Sequence, residues 1–192
     1  MLTELQIANN KNEFIDLLMS VKREGMGDLI EYLETTDFYD APASTMYHEN
    51  YTGGLCEHSL KVFNILRRLD VEFELGLSKD SMIITALLHD VCKINTYFKD
   101  KKNQKIGQNW VTVDWWRRED SYPIGHGQKS VIMLLEAGLK LEKEEILSIA
   151  SHMGEYDTSN MFNPSSVFDK NDRAIWLHIA DLIATYKDRN VE

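Results

Sequence analysis

The sequence predicts an all-α protein, a helical bundle that carries one small β-hairpin around residues 95–122. Two observations support the bundle: most of the chain places apolar residues at helical spacing, and only three of its 192 residues are proline. The third observation is local. Residues 110–116, WVTVDWW, favour a strand and follow a stretch rich in Lys, Asn and Gly that is typical of a turn.

Apolar residues at helical spacing predict six helical stretches. They cover residues 11–34, 55–70, about 80–93, 127–139, 142–153 and 172–188. The first is one helix or two short ones, because Gly25 and Gly27 interrupt it. Gly53 and Gly54 stand just before the second, where the backbone must turn tightly. The candidate caps are Ser78 or Asp80 for the third stretch and Asp169 or Asn171 for the last.

Length, composition and charge exclude several classes of protein. A chain of 192 residues is one ordinary domain, and its two cysteines, Cys56 and Cys92, are expected to be packing residues in a reducing compartment. No apolar run reaches the ~20 residues that a membrane span needs, and the first residues lack the layout of a signal peptide. We therefore expect a cytoplasmic protein without a membrane partner. The net charge of −10 argues against a broad electrostatic hold on long nucleic acid.

Positive charge is concentrated in one part of the chain. Residues 93–129 contain eight Lys or Arg and four Asp or Glu, a balance of +4 in a chain of −10. The same stretch holds six aromatic residues: Tyr97, Phe98, Trp110, Trp115, Trp116 and Tyr122. Basic residues interleaved with aromatic ones suit a phosphorylated compound with a base to stack. The alternative is that the aromatic residues only anchor the hairpin to the bundle.

Ionisable residues inside apolar segments form the candidate site. A single buried histidine is usually satisfied by a backbone or carboxylate partner, but one divalent cation would satisfy several such groups together. We call these six residues the His/Asp cluster: His58, His89, Asp90, His126, His152 and Asp181. Mixed imidazole and carboxylate ligands suit Mn, Fe, Ni, Co or Zn better than Ca. The lack of thiolate ligands argues against a structural zinc site.

The pattern H…HD…D, as His58, His89–Asp90 and Asp181, resembles the HD-domain superfamily of metal-dependent phosphohydrolases. The resemblance covers about residues 38–186 and implies a helical HD-domain bundle, with one HD domain over 1–192 and a helical extension at 1–37. The segment FYDAPASTMYHENYTGGLCEHSLKV is similar to the HD domains of bacterial 3′→5′ exoribonucleases. Those enzymes also carry an OB-fold domain for RNA, for which this chain has no room.

The resemblance also implies roles for individual residues. The H…HD…D residues would bind the first of two divalent metals, drawn from Mn, Fe, Ni, Co, Mg or Zn. Asp90 would bridge to a second metal held by His126 and His152, and Asp90 and Lys93 would be catalytic. The candidate substrate contacts are Lys93, Lys129, Trp110 and His48. His178 would either orient Asp181 or pack in the core.

The implied function is hydrolysis of a phosphomonoester or phosphodiester bond in a nucleotide or short oligonucleotide, by a metal-activated water. Two other classes stay open. The fold could keep its metal and sense a nucleotide without turnover, or it could be a subunit whose acidic surface meets a basic protein. Retention of every motif residue favours the enzyme, because a non-catalytic relative could lose His126 or His152. The pattern does not define the oligomeric state.

Overall fold

The structure, a computed structural model, describes residues 1–157 and 164–187. The helices are α1 (Glu4–Met19), α2 (Met26–Glu34), α3 (Gly54–Glu72), α4 (Lys79–Leu88), α5 (His126–Glu136), α6 (Lys143–Ser151), α7 (Pro164–Phe168) and α8 (Asp172–Lys187). The strands are β1 (Tyr97–Ile106) and β2 (Asn109–Arg118), and short 3₁₀ turns occupy Val91–Lys93 and Gly154–Tyr156. The predicted class, an all-α bundle with one hairpin, is confirmed.

Helix α4 lies at the centre of the bundle. All of its residues from Ser81 to Leu88 are buried, and all of them except Ser81 and Thr85 are apolar. Helix α3 packs against α4 and α8, while α6 contacts α4, α5 and α8. The largest fully buried side chains are Phe14, Leu18, Leu29, Leu33, Phe38, Leu55, Leu66, Ile83, Ile84, Leu87, Leu88 and Leu134. Because these come from both α1–α2 and the later helices, the N-terminal helices share one core with the rest.

The first predicted stretch is two helices, with the break where the glycines stand. Gly25 has φ +80°, a left-handed conformation that glycine adopts without strain, and α2 begins at the next residue. Helix α1 begins seven residues earlier than predicted. A capping box explains the early start, because the Thr3 side chain accepts from the Gln6 backbone N–H and the Gln6 side chain accepts from that of Thr3.

The prediction that α4 continues to about Lys93 was wrong, and so was the placement of His89 and His152 inside helices. Helix α4 ends at Leu88 and α6 ends at Ser151, so each histidine is the C-cap of its helix. The His89 Nδ1 atom lies 2.9 Å from the Ala86 carbonyl oxygen, and the His152 Nδ1 atom lies 2.7 Å from that of Ile149. The last carbonyls of a helix lack helical partners, so a ring N–H satisfies one of them at each site.

The hairpin pairs β1 and β2 antiparallel in a continuous register, from Tyr97 opposite Arg118 to Ile106 opposite Asn109. Because side chains alternate along a strand, Trp110 and Trp116 share one face and Trp115 takes the other. Trp116 is half-buried and its Nε1–H donates to the Asn50 carbonyl at 3.0 Å, which ties the hairpin to the loop before α3.

None of the helices in the described part of the chain combines the length and the apolar character of a membrane span. Both cysteines are buried and neither forms a disulfide. The compartment stays a prediction. The candidate cap Ser78 is confirmed, because its hydroxyl accepts from the Ser81 backbone N–H at 3.4 Å.

Candidate metal centre

Five helices bring the His/Asp cluster together. His58 comes from α3, Asp181 from α8 and His126 from the first position of α5, while His89 and Asp90 follow α4 and His152 follows α6. Gly127 allows α5 and α6 to approach closely, since a Cβ atom at this position would lie 2.3 Å from the Ile149 carbonyl oxygen. The sequence therefore assembles the cluster from helix ends and helix faces that are far apart in the chain.

Asp90 stands at the centre, with different neighbours on its two carboxylate oxygens. Its Oδ1 atom lies 3.2 Å from His126 Nε2 and 3.5 Å from His152 Nε2. Its Oδ2 atom lies 2.6 Å from Lys93 Nζ, 3.3 Å from His89 Nε2 and 3.9 Å from His58 Nε2. One carboxylate thus separates the pair His126 and His152 from the remaining histidines of the cluster.

Asp181 completes the second group. Its Oδ1 atom lies 3.1 Å from His58 Nε2 and 3.9 Å from His89 Nε2. Ligand atoms of His58, His89 and Asp181 all lie within 4.8 Å of one another, as do those of His89, Asp90 and His152. Two overlapping sets of imidazole and carboxylate groups are therefore close enough to share cations.

Buried polar atoms without partners show that the cluster fits a cation. Among the described residues, His89 Nε2, His152 Nε2 and Asp90 Oδ1 are buried and make no hydrogen bond. Leaving such atoms unpaired costs about 1–3 kcal/mol each. The carbonyl contacts of His89 and His152 place their protons on Nδ1, so both Nε2 atoms carry a lone pair directed at Asp90. Imidazole and carboxylate donors in this arrangement suit first-row divalent metals.

The ionisable groups of the centre hold one another in their charged forms. Burial acts against ionisation of Asp90, but Lys93 and His89 lower its pKa well below the usual range. Burial is likewise outweighed at Asp181, whose pKa is lowered chiefly by His58. The pKa of the buried Lys93 is raised, because the charge of Asp90 exceeds the effect of desolvation. The centre therefore presents two ionised carboxylates beside the buried Lys93 cation.

The structure brings two of the four predicted substrate contacts to the cluster. Lys93 is buried and donates to Asp90. The His48 ring lies 4.8 Å from the His58 ring, centroid to centroid, and burial lowers the pKa of His48 to about 4. His178 was considered as a residue that could orient Asp181. Its Nδ1 atom instead lies 2.5 Å from the His152 carbonyl oxygen.

The other two predicted contacts have different partners. Lys129 is buried but donates to Asp120 Oδ1 at 2.7 Å, in the loop that follows the hairpin. Trp110 is 71% exposed and pairs with Lys105 near the hairpin tip. That position is roughly 26 Å along the strand from Tyr97, at ~3.3 Å per residue. The structure does not bring Trp110 together with the His/Asp cluster.

Two residues at the centre were missed by the sequence analysis. Glu49 is buried beside His58; burial acts to raise the pKa of its carboxyl, but the neighbouring His58 and Lys61 outweigh burial and lower that pKa to about 2. Cys92 offers a sulfur atom within 4.8 Å of ligand atoms of Asp90 and His126. Glu49 lies in an irregular loop without periodicity, so no local pattern identifies it. The sequence analysis gave Cys92 a packing role, although His89 stands three residues before it.

Residues 55–186, which contain the whole His/Asp cluster, match the family model described as the HD domain. The dihydroneopterin 2',3'-cyclic phosphate phosphodiesterase of Methanocaldococcus jannaschii is 30% identical to this chain over 146 residues. The alignment covers 74% of this chain and 50% of that protein, so the chain spans about half the length of its curated relative. No solved structure gives a significant match. With its helical fold and its H…HD…D cluster, the chain belongs to the HD-domain family.

Proposed function

We propose that this protein is a metal-dependent phosphohydrolase that cleaves a phosphomonoester or phosphodiester bond with an activated water. The strongest support is that the two carboxylate oxygens of Asp90 contact different histidines. Oδ1 faces His126 and His152, while Oδ2 faces His89. A carboxylate with histidines on both oxygens suits a ligand shared by two divalent cations. Two-metal sites of this kind occur in phosphatases and nucleases.

The proposed ligand set assigns every residue of the His/Asp cluster. His58, His89, Asp90 and Asp181 would hold one cation, and His126 and His152 would hold a second that Asp90 shares. When bound, the cations would activate a water and neutralise charge on the phosphate oxygens. The donor set is rich in imidazole, which favours Mn, Fe, Ni, Co or Zn over Mg.

Lys93 would bind the substrate phosphate. Its ammonium group has three N–H donors, and Asp90 Oδ2 accepts one of them at 2.6 Å. Lys93 can therefore hold a phosphate oxygen while it keeps Asp90 in place. A fixed cation in a buried site stabilises the charge that develops on phosphate oxygens in the transition state.

A small nucleotide-like phosphodiester is the proposed substrate. The curated relative is named as a phosphodiesterase of a 2',3'-cyclic phosphate. The hairpin and residues 45–52 enclose a cleft of about 990 Å³, lined by Lys99, Lys102, Trp115 and Trp116 among others. One wall comes from the loop in which His48 stands, and the other from the hairpin that follows Lys93. The base of a substrate held at the cluster would enter this cleft, where aromatic and cationic side chains favour stacking.

The remaining assignments extend this proposal. Residues 1–192 would be one HD domain, with 1–37 as an extension of a 38–186 core, because α1 and α2 contribute to the same core as the other helices. The substrate would be a small molecule, with no role for long nucleic acid or a membrane. Lys129, Trp110 and a cytoplasmic location stay predictions, as does the narrower resemblance to exoribonucleases.

Protein purified without chelator tests the proposal. Elemental analysis should find about two first-row divalent metals per chain. The metal-loaded protein should hydrolyse bis-p-nitrophenyl phosphate and, more efficiently, one class within a panel of 2',3'-cyclic nucleotides, dihydroneopterin 2',3'-cyclic phosphate, nucleoside phosphates and short oligonucleotides. Tight nucleotide binding without turnover by the loaded protein would instead identify the sensor alternative. Protein that binds no metal would contradict both.

A further inference from the structure

Glu49 is a buried carboxylate beside the centre, in the loop that precedes α3. Its side chain is 2% exposed, and its Oε2 atom lies 3.6 Å from Nδ1 of His58. Its other oxygen, Oε1, accepts from Lys61 Nζ at 2.7 Å. Within residues 1–157 and 164–187, Glu49 Oε2 and His58 Nδ1 are both buried without a hydrogen bond. The two unpaired atoms therefore face each other.

The backbone holds Glu49 in a conformation that few residues adopt. Its φ angle is +39°, in the left-handed region that non-glycine residues rarely occupy. The Glu49 carbonyl accepts the Ala43 backbone N–H at 3.0 Å, and a Cβ atom at Gly54 would lie only 2.0 Å from the same oxygen. Strained residues of this kind persist where the surrounding structure fixes them, often at functional sites.

Comparison with the other ligand histidines shows what His58 requires. His89 and His152 direct Nδ1 to carbonyls in the last turns of their own helices. His58 lies inside α3 (Gly54–Glu72), where the backbone carbonyls accept helical hydrogen bonds. It therefore needs an acceptor from outside its helix, and Glu49 is the carboxylate placed there.

We propose that Glu49 is a positioning residue for His58. Its carboxylate accepts the Nδ1 proton, keeps that proton away from Nε2 and orients the ring toward Asp181 and the metal. A metal-bound histidine commonly donates its other ring N–H to a carboxylate in this way. The separation of 3.6 Å exceeds a hydrogen bond, and a shift of roughly 0.7 Å would bring the pair to ordinary bonding distance. This inference rests on the proposed metal centre.

A third cation between His48, Glu49 and His58 is the competing explanation, because ligand atoms of these residues also lie within 4.8 Å of one another. Neutral imidazole has one nitrogen with a free lone pair. If His58 uses Nε2 at the main centre, its Nδ1 carries a proton and cannot bind a second cation. The Lys61 ammonium on Glu49 also opposes a cation there.

The test compares Glu49→Met, which removes the acceptor at similar side-chain length, with Glu57→Met as a matched control. Glu57 also contacts Lys61, at 3.8 Å, and accepts from the Tyr51 hydroxyl at 2.5 Å, and it lies on α3 with His58. Zinc affinity is measured by competition with a chelator. We expect Glu49→Met to weaken zinc binding about 10- to 100-fold, as for other partners of metal ligands, and Glu57→Met to leave it unchanged. Glu49→Gln should fall between, because its amide oxygen accepts without charge.

A second readout does not depend on turnover. The Nδ1 proton resonance of His58, observed in isotope-labelled protein with and without zinc, should be present in the wild type and shift upfield or exchange away in Glu49→Met. An unchanged affinity and an unchanged resonance in the folded variant would overturn the proposal. Loss of one whole metal equivalent would also overturn it, because Glu49 would then be a ligand. Wild-type protein that binds zinc but hydrolyses nothing would contradict the proposed function alone, and the affinity comparison would still decide the role of Glu49.

Discussion

The Lys93 ammonium lies 2.6 Å from Asp90 Oδ2, and both side chains are almost completely buried. The pair forms because α4 ends at Leu88 and the 3₁₀ turn Val91–Lys93 folds the chain back over Asp90. A buried ion pair of this kind is costly to break, because removal of one partner leaves the other charge without compensation. The same two residues are the proposed bridging ligand and phosphate contact, so stability and activity are linked here.

Replacement of Asp90 should damage both properties. Asp90→Asn should abolish hydrolysis of bis-p-nitrophenyl phosphate and lower the metal content, because the proposed shared ligand is lost. It should also reduce the stability of the metal-free protein by about 3–5 kcal/mol, since Lys93 remains buried without its partner. Denaturant unfolding and elemental analysis measure the two effects. The double variant Asp90→Asn/Lys93→Met should recover much of the stability but none of the activity. If the double variant is as unstable as Asp90→Asn alone, the two side chains do not stabilise each other.

Replacement of Lys93 alone should separate catalysis from metal binding. Lys93→Met should lower kcat roughly 100- to 1,000-fold, the effect seen when one donor to a developing oxyanion is removed. Metal affinity should be retained or increased, because a cation that competes for Asp90 Oδ2 has been removed. Steady-state kinetics and metal competition give the two quantities. Reduced metal affinity together with an unchanged kcat at saturating metal would exclude the phosphate role.

The metal-free protein should lose stability as the pH rises above neutral. Burial opposes the protonation of His58, but Asp181 and Glu49 outweigh it and raise the pKa to about 9. The unfolded chain has a histidine pKa of about 6.5, so this contribution is fully present below pH 6.5 and is lost as the pH rises through 9. The melting temperature in chelator should therefore fall between pH 6.5 and 9.

Two controls accompany this pH profile. His58→Gln should reduce the metal-free decline without removing it, because His126 also titrates: burial opposes its protonation, but Cys92 and Asp90 raise its pKa to about 10. Bound metal should remove or reverse the decline, since it requires unprotonated histidine and its affinity rises with pH. A metal-free melting temperature that stays level from pH 6.5 to 9 in the wild type would show that His58 does not gain a proton on folding.

Gly127 should be intolerant of a side chain. A Cβ atom there would lie 2.3 Å from the Ile149 carbonyl oxygen, so Gly127→Ala would force α5 away from α6 and separate His126 from His152. We expect a loss of roughly 1–3 kcal/mol of stability, in the range of an overpacked core, and weaker binding of one of the two metals. Gly27→Ala is the matched control: its Cβ would meet no described atom within 4 Å, and it should stabilise α2 by up to about 1 kcal/mol. Similar behaviour of the two variants would contradict the packing argument.

The hairpin tryptophans should behave differently from one another. Trp116→Ala should lower the melting temperature, because it removes the hydrogen bond to Asn50 and the contact that anchors the hairpin. Trp110→Ala should leave the melting temperature and the turnover of bis-p-nitrophenyl phosphate unchanged, since Trp110 is exposed near the tip. If its ring stacks a base, binding should weaken by about 1–3 kcal/mol, and only for an oligonucleotide long enough to reach it. An effect of Trp110→Ala on a mononucleotide would show that the hairpin closes over the centre.

Much of the fold and the cluster followed from local sequence patterns. Apolar spacing was sufficient for the helices because each buries one stripe against the core, and the β-prone run at 110–116 was sufficient for the hairpin. The six cluster residues could be recognised because ionisable groups in apolar segments need compensation. The helix ends at Leu88 and Ser151 could not be found in this way. They depend on histidine rings that satisfy the final carbonyls, and an imidazole in an apolar run looks the same inside a helix and at its end.

The sequence by itself therefore determined the class of fold, the membership of the cluster and the concentration of positive charge near the hairpin. Only the tertiary structure decided which oxygen of Asp90 faces which histidine, that Lys129 pairs with Asp120 and that Glu49 faces His58. The reason is physical. Periodicity and composition indicate whether a side chain is buried and whether it requires a polar partner. The identity of that partner depends on how separate helices and loops pack together. Glu49 and His58 are nine residues apart in the chain, and a strained loop brings the two side chains together.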